Sequence, residues 1–270
     1  MRLAIRHTTR YRFDRPVKHG LQRLRLFPKG TQGQRVLDWS FDYENAREEF
    51  SYEDQNCNRV MLLSVTQDAQ DVVITCSGTV MTQDEAGVIG QHSGHMPLWA
   101  FLGATDLTRP GPGTRKLVEG LDQNGGRLDL LHGLSARIRD RVRYETGRTG
   151  VETTAEQAVS GGCGVCQDHA HIFIAAARFL GIPARYVSGY LMMDDRVDQS
   201  ATHAWAEGHV PGLGWVGFDV SNGISPDPRY VRLASGRDYR EAAPVLGTSL
   251  GASAEGLTVN LAVEQQQAEQ

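Results

Sequence analysis

Cysteine is scarce in this sequence: Cys57, Cys76, Cys163 and Cys166 are the only four among 270 residues. That is too few for a disulfide framework at this length, so reduced thiols and a cytoplasmic location are the expectation. The net charge is only −4 and no long basic run exists, so nothing calls for nucleic acid or an anionic membrane as partner. No apolar run is long enough to span a bilayer. The opening MRLAIRHTTRYRF lacks the continuous apolar stretch of a signal peptide. No repeat occurs at solenoid or propeller periods. There is no His-Glu-x-x-His, no second cysteine pair and no EF-hand loop, so neither a metal site nor a cofactor is expected. What is present is an ordinary globular composition, 40% hydrophobic and 22% charged. The length allows one large domain or two modest ones.

The first ninety or so residues read as short strands. Leu3, Ile5, Tyr11 and Phe13 recur at period two, as do Leu37, Trp39, Phe41 and Tyr43. Residues 60–65 and 72–80 are rich in β-formers. Short strands split by polar turns predict a small β-sandwich or open sheet. Residues 87–96, with glycine and histidine, read as a boundary. Beyond it, Leu130, Leu131, Leu134, Ile138 and Val142 fall at helical spacing. Thr153 or Thr154 is placed to cap a short helix, and a strong helix is predicted over 165–180, stopped by Gly181 and Pro183. Segments 184–191, 204–210 and 215–220 read as strands, and 257–263 as a last one. The final EQQQAEQ is expected to fray. The spacing predicts a β-rich domain over 1–92, then an α+β core with a C-terminal strand over 93–270.

The strong helix carries a thiol in its first turn. Cys166, Ala170, Phe173, Ala177 and Leu180 share one face, so the thiol stands at the N-terminal edge of the inward stripe. Unpaired N–H groups and the positive dipole end favour thiolate over thiol there. The same N–H groups suit an oxyanion formed when the thiolate attacks a carbonyl. The glycines before Cys166 are expected to let a substrate backbone approach.

A thiolate nucleophile needs a base, and the base an orienting group. In THAWAEGHVPGLGWVGFDVSNG, His203 opens a strand and Asp219 closes the next, across a hairpin-like turn. Paired strands can set the two side by side. Read alone, each of these three residues has a plain structural role: a buried thiol, a core histidine, a turn aspartate. Read together, they form a Cys-His-Asp set. His169 and His171 are expected to pack, Asp168 to support the helix N-terminus, and His92 and His95 to lie in the boundary loop. Tyr144 and Gln167 are candidates for substrate or oxyanion contact.

The stretches GVCQDHAHIFIAAARFLGIPARYVSGYL, THAWAEGHV and GLGWVGFDVSNG, in this order, resemble the core of bacterial transglutaminase-like proteins, over about residues 128–223. The N-terminal strands resemble the β-rich region that precedes such cores. The resemblance implies a papain-like α+β core, a nucleophile at Cys166, a base at His203 and an orienting acid at Asp219. Val220 stands where many members have proline. The resemblance also implies acyl transfer from an amide of a peptide or protein substrate through a thioester: to water, as in a cysteine protease or amidase, or to an amine, as in a transglutaminase or amide ligase. The calcium of animal transglutaminases is not carried over. Oligomeric state is not legible.

Two other readings compete. Cys163-x-x-Cys166 is a CxxC before a helix, as in redox proteins; that reading lacks the βαβ lead-in and leaves His203 and Asp219 without a purpose. A non-catalytic binding module on the same fold is the second.

Overall fold

The structure, a computed structural model, describes residues 1–122, 124–251 and 255–266. It is α+β. Two antiparallel sheets form the β-rich part. In the first, Arg2–Val17 lies between Glu255–Gln265 and Ala69–Thr82; Gln34–Glu44 and the short Asp198–Gln199 form the edges. The second runs Val245–Leu250, His19–Leu24, Arg59–Val65, Ala46–Glu53. Period-two side chains from both sheets, among them Leu3, Ile5, Leu24, Leu63 and Ile74, meet in one buried core, the arrangement of a sandwich. Tyr190, Val231 and Leu233 of the adjoining sheet enter that core, so the two parts share a packed boundary.

The third sheet has the order Tyr230–Gly236, Ala184–Leu191, His203–Val210, Gly214–Phe218, Val88–Gly90, all antiparallel. Of the helices α1 (Pro112–Val118), α2 (Arg127–Arg141), α3 (Ala155–Gly161) and α4 (Cys166–Phe179), α2 and α4 pack against it and α1 and α3 pack on α4, while α5 (Tyr239–Ala242) follows its edge strand. Helix α4 is the hub, with every residue from Asp168 to Arg178 buried. Its end is a double bond-back: Gly181 N–H donates to Arg178 O and Ile182 N–H to Ala177 O, both at 2.9 Å, the Schellman pattern. Thr154 caps α3 with Gln157 in a capping box. Glu156 does something else: its carboxylate accepts from the N–H groups of Gly111, Gly113 and Thr114 at the start of α1.

Three expectations need correction. Residues 88–90, read as part of the boundary and placed in the 1–92 domain, pair with Gly214–Phe218 as the edge of the core sheet. The C-terminal strand, expected with the 93–270 core, instead pairs with Arg2–Val17, and Val245–Leu250 pairs with His19–Leu24. The core therefore sits between the two chain segments that build the sandwich. Within EQQQAEQ, Glu264 and Gln265 are strand residues opposite Ala4 and Leu3; residues 267–270 lie outside the described residues.

Candidate active site

The loop before α4 and the strand ladder place the thiol. Residues 143–144 pair in parallel with 163–164, which fixes the chain just ahead of the helix. Cys166 is the first residue of α4 and is half-buried. Asp168, in the same turn, accepts from Val165 N–H at 2.8 Å and from the Thr149 hydroxyl at 2.6 Å. It satisfies one of the helix's unpaired donors and adds charge of the right sign there. Gly164 makes room for that carboxylate, since a Cβ on it would lie 2.7 Å from the Asp168 side chain. The glycine thus accommodates Asp168, where the sequence had pointed to substrate.

His203 Nε2 donates to Asp219 Oδ2 at 2.6 Å. That leaves Nδ1 for Cys166, which lines the same cleft. Burial works against the imidazolium, but the hydrogen bond to Asp219, with the nearby Cys166, outweighs it and pushes His203 up to about 10. Asp219 has no exposed surface. Besides His203, its Oδ2 accepts from Asn222 Nδ2 and the Tyr230 hydroxyl, each at 2.7 Å. Burial alone would raise its pKa; these donors, His203 foremost, hold it below the ordinary carboxylate value. With the Asn222 backbone N–H donating to Oδ1 at 3.3 Å, the buried carboxylate has four donors and meets the condition for burying a charge.

The turn after Asp219 is fixed from two sides. Asp219 N–H donates to Ile224 O at 2.9 Å, and Gly223 N–H to Asp219 O at 2.8 Å. His169 Nε2 faces the Val142 carbonyl at 2.9 Å and must donate; its Nδ1 then accepts from Ser221 Oγ at 2.8 Å. That histidine is a neutral strut between α4 and the turn, as burial lowers its pKa. His171 is enclosed, accepts from Tyr239 N–H at 3.1 Å, and is pulled down to about 3 by burial. His92 donates to Met96 O and accepts from Trp215 Nε1; His95 is exposed.

Cys166 and His203 line one cleft of about 780 Å³, together with Tyr144, Gln167 and Tyr186. Tyr144 is more than half exposed, and burial together with the Cys166 and Asp219 charges raises its pKa, so its hydroxyl keeps the proton. Gln167 Nε2 donates to Val151 O at 3.1 Å. Arg196 is the one Arg, Lys, Asp or Glu among the described residues lining the cleft. Cys163 is buried at 9% exposure and absent from that lining.

Tyr230, Asn222 and Ser221 had not been singled out from sequence. Asn222 and Ser221 stand in the quoted VSNG stretch, a turn signal beside the candidate acid. Tyr230 carries no local signal; it reaches Asp219 from the sheet's edge strand. Away from the cleft, Glu53, Cys57 and His95 bring possible ligand atoms within 4.8 Å of one another. Donors this far apart in sequence form no short motif, so the sequence does not announce them.

Comparison with known proteins agrees with this architecture. Residues 115–220 match the model of the transglutaminase-like superfamily, and residues 3–81 that of the bacterial transglutaminase-like N-terminal region. The uncharacterized protein ML0607 of Mycobacterium leprae is 26% identical over 96% of both chains. Rv2569c of Mycobacterium tuberculosis is 37% identical over 44% of this chain and 41% of its own. The crystal structure of a candidate cysteine protease from Cytophaga hutchinsonii covers all of this chain and 92% of its own, at 22% identity and a TM-score of 0.76. The sandwich in front and the helix-and-sheet core behind it are thus both accounted for: the chain carries a transglutaminase-like core behind a bacterial transglutaminase-like N-terminal region.

Proposed function

We propose that this chain is a cysteine-nucleophile acyl-transfer enzyme acting on amide bonds, with Cys166 as nucleophile, His203 as base and acid, and Asp219 as orienting group. The observation that carries the reading is the continuous line from cleft to core: Cys166 and His203 both face the cleft, and His203 is tied to a buried Asp219 at 2.6 Å. His203 Nδ1 takes the thiol proton, and the sulfur attacks the amide carbonyl. The backbone N–H groups of the first turn of α4 and the protonated Tyr144 hydroxyl stabilise the oxyanion. His203 passes its proton to the leaving amine, and a thioester remains. Water then attacks with His203 as base, releasing the acid and restoring the thiol. Gln167 binds substrate; its side-chain amide already serves Val151.

Hydrolysis of a peptide or side-chain amide is the principal outcome; transfer to an amine uses the same acyl-enzyme. A reducing compartment, the cytoplasm, suits the free thiols. Among the described residues no helix is long and apolar enough to cross a membrane. The test is a peptide library turned over in H₂¹⁸O, with and without a primary amine. Label in the product acid is expected, with Cys166→Ala folded and inactive. Full activity of Cys166→Ala would overturn the mechanism, and exclusive amine incorporation would replace hydrolysis by transfer.

A further inference from the structure

A second cavity, of about 310 Å³, lies between the sandwich and the third sheet, lined by Lys29, Cys57, Gln91, Arg185, Trp215 and Arg232. Its charges do not balance. Arg185 and Arg232 are 7% and 5% exposed, and Glu207 between them is fully buried. Arg185 Nε and Arg232 NH2 both donate to one oxygen, Glu207 Oε2, at 2.6 and 2.8 Å. Lys29 Nζ donates to Asn56 O at 2.7 Å and Asn58 Oδ1 at 3.0 Å, both uncharged acceptors. The nearby Asp54 is already held by Arg25 at 3.2 Å. Two buried guanidiniums therefore share one buried carboxylate, with Lys29, which burial lowers to about 7, beside them and the exposed Glu53 on the lining; burying such a surplus is costly without an anion.

Donors are also left over. Both terminal nitrogens of Arg185, and NH1 and Nε of Arg232, have no acceptor among the described residues. The Arg185 guanidinium lies over the Trp215 ring at 4.0 Å, which holds its plane in one orientation. Adjacent arginines with unmet N–H groups are suited to oxyanions through charge-assisted, paired hydrogen bonds.

We infer that this cavity is a binding site for a small free tetrahedral oxyanion of the phosphate or sulfate type, held by Arg185 and Arg232 with Lys29 completing the positive field. The Glu53, Cys57 and His95 donors near the cavity offer the opposite ligand, a divalent cation. Cys57 lines the same cavity as Lys29 and Arg185, so a cation there meets their repulsion, whereas an anion between the arginines relieves it. An occupied site joins Lys29, from the sandwich side, to strands Ala184–Leu191 and Tyr230–Gly236 and, through Glu207, to the strand that begins at His203. It is a bracing site, separate from the amide chemistry.

The test uses the full chain. Calorimetric titration with sodium phosphate and with sodium sulfate, against sodium chloride at matched ionic strength, is expected to show one saturable site for each oxyanion and none for chloride. Lys29→Met, and the charge-balanced pair Arg185→Met with Glu207→Gln, should each weaken binding by about tenfold or more. Because the double variant perturbs a buried pair, phenylglyoxal mapping of the unaltered protein provides a second reading: phosphate should protect Arg185 and leave Arg196 reactive. The inference is overturned by the absence of saturable binding, by binding unchanged in Lys29→Met, or by protection of Arg196 in place of Arg185.

Discussion

Tyr230 donates its hydroxyl at 2.7 Å to the same Asp219 oxygen that receives His203 at 2.6 Å. The acid is therefore held in place by a residue from the sheet's edge strand, which is ladder-paired with Ala184–Leu191 and not with the His203 strand. Ring packing supports the same geometry: Trp205 meets Tyr230 edge-on at 5.4 Å, and His203 lies 5.9 Å from Tyr230.

Tyr230→Phe removes one of four donors to a buried carboxylate. We expect a loss of about 1–3 kcal/mol in stability and a modest fall in kcat/KM, since His203 and Asn222 still hold Asp219. Asp219→Asn should instead lower kcat by several powers of ten while the protein remains folded, because the His203 tautomer is no longer set. Denaturant unfolding and steady-state kinetics on the two variants distinguish the roles. Equal kinetic losses would mean that Tyr230 does more than hold Asp219.

The histidines give stability a two-sided pH dependence. His203 is raised from 6.5 to about 10 in the folded state. Its contribution is complete below pH 6.5 and is lost as pH rises toward 10. Cys166→Ala removes one of its partners and should flatten that alkaline decline. His7, enclosed and bonded to Tyr190 Oη at 2.8 Å, is lowered from 6.5 to about 4 by burial. Its contribution is complete above pH 6.5 and is lost as pH falls toward 4, at up to about 1.4 kcal/mol per unit. Urea titrations from pH 4 to 10 measure both limbs. A Cys166→Ala profile that matches the parent's above pH 6.5 would remove the thiol from the account.

Limiting iodoacetamide should mark Cys166 before Cys163, which is buried within the segment that leads into α4. Replacing His203 should slow that labelling. Peptide mapping after brief exposure reads it directly. A label chiefly on Cys163, indifferent to His203, would restore the redox reading of the CxxC.

Gly189 stands opposite His203 in the strand ladder. A Cβ there would overlap the Trp205 ring and the Val231 carbonyl. Gly189→Ala is expected to cost about 1–3 kcal/mol through overpacking and to depress activity by displacing the indole beside His203. Unfolding and activity measurements, with Gly30→Ala, where an added Cβ meets nothing, as a control, test this; an active, stable Gly189→Ala would show that the sheet can shift to admit the methyl.

The parts that were legible in the sequence are those set by local chemistry. The run from Cys166 to Leu180 with Gly181 and Pro183 behind it could only be a buried helix, and the hairpin around residues 211–213 brings His203 toward Asp219. What was not legible depends on partners distant in sequence. Ala46–Glu53 has almost no buried face, so no alternation announced it. Val88–Gly90 is three residues long and is a strand only because Gly214–Phe218 lies alongside. Tyr230 and the arginine pair around Glu207 acquire their roles from sheet order, which periodicity does not encode.

The pairing of Arg2–Val17 with Glu255–Gln265 has a consequence for biosynthesis. The first strand leaves the ribosome long before its last partner exists, so one edge of it stays bare while the whole core is being made. A bare edge is a template for another chain. Nascent or truncated chains without the final strand are therefore the species most at risk of sticking to one another. Closure of the sandwich is the event that ends that risk.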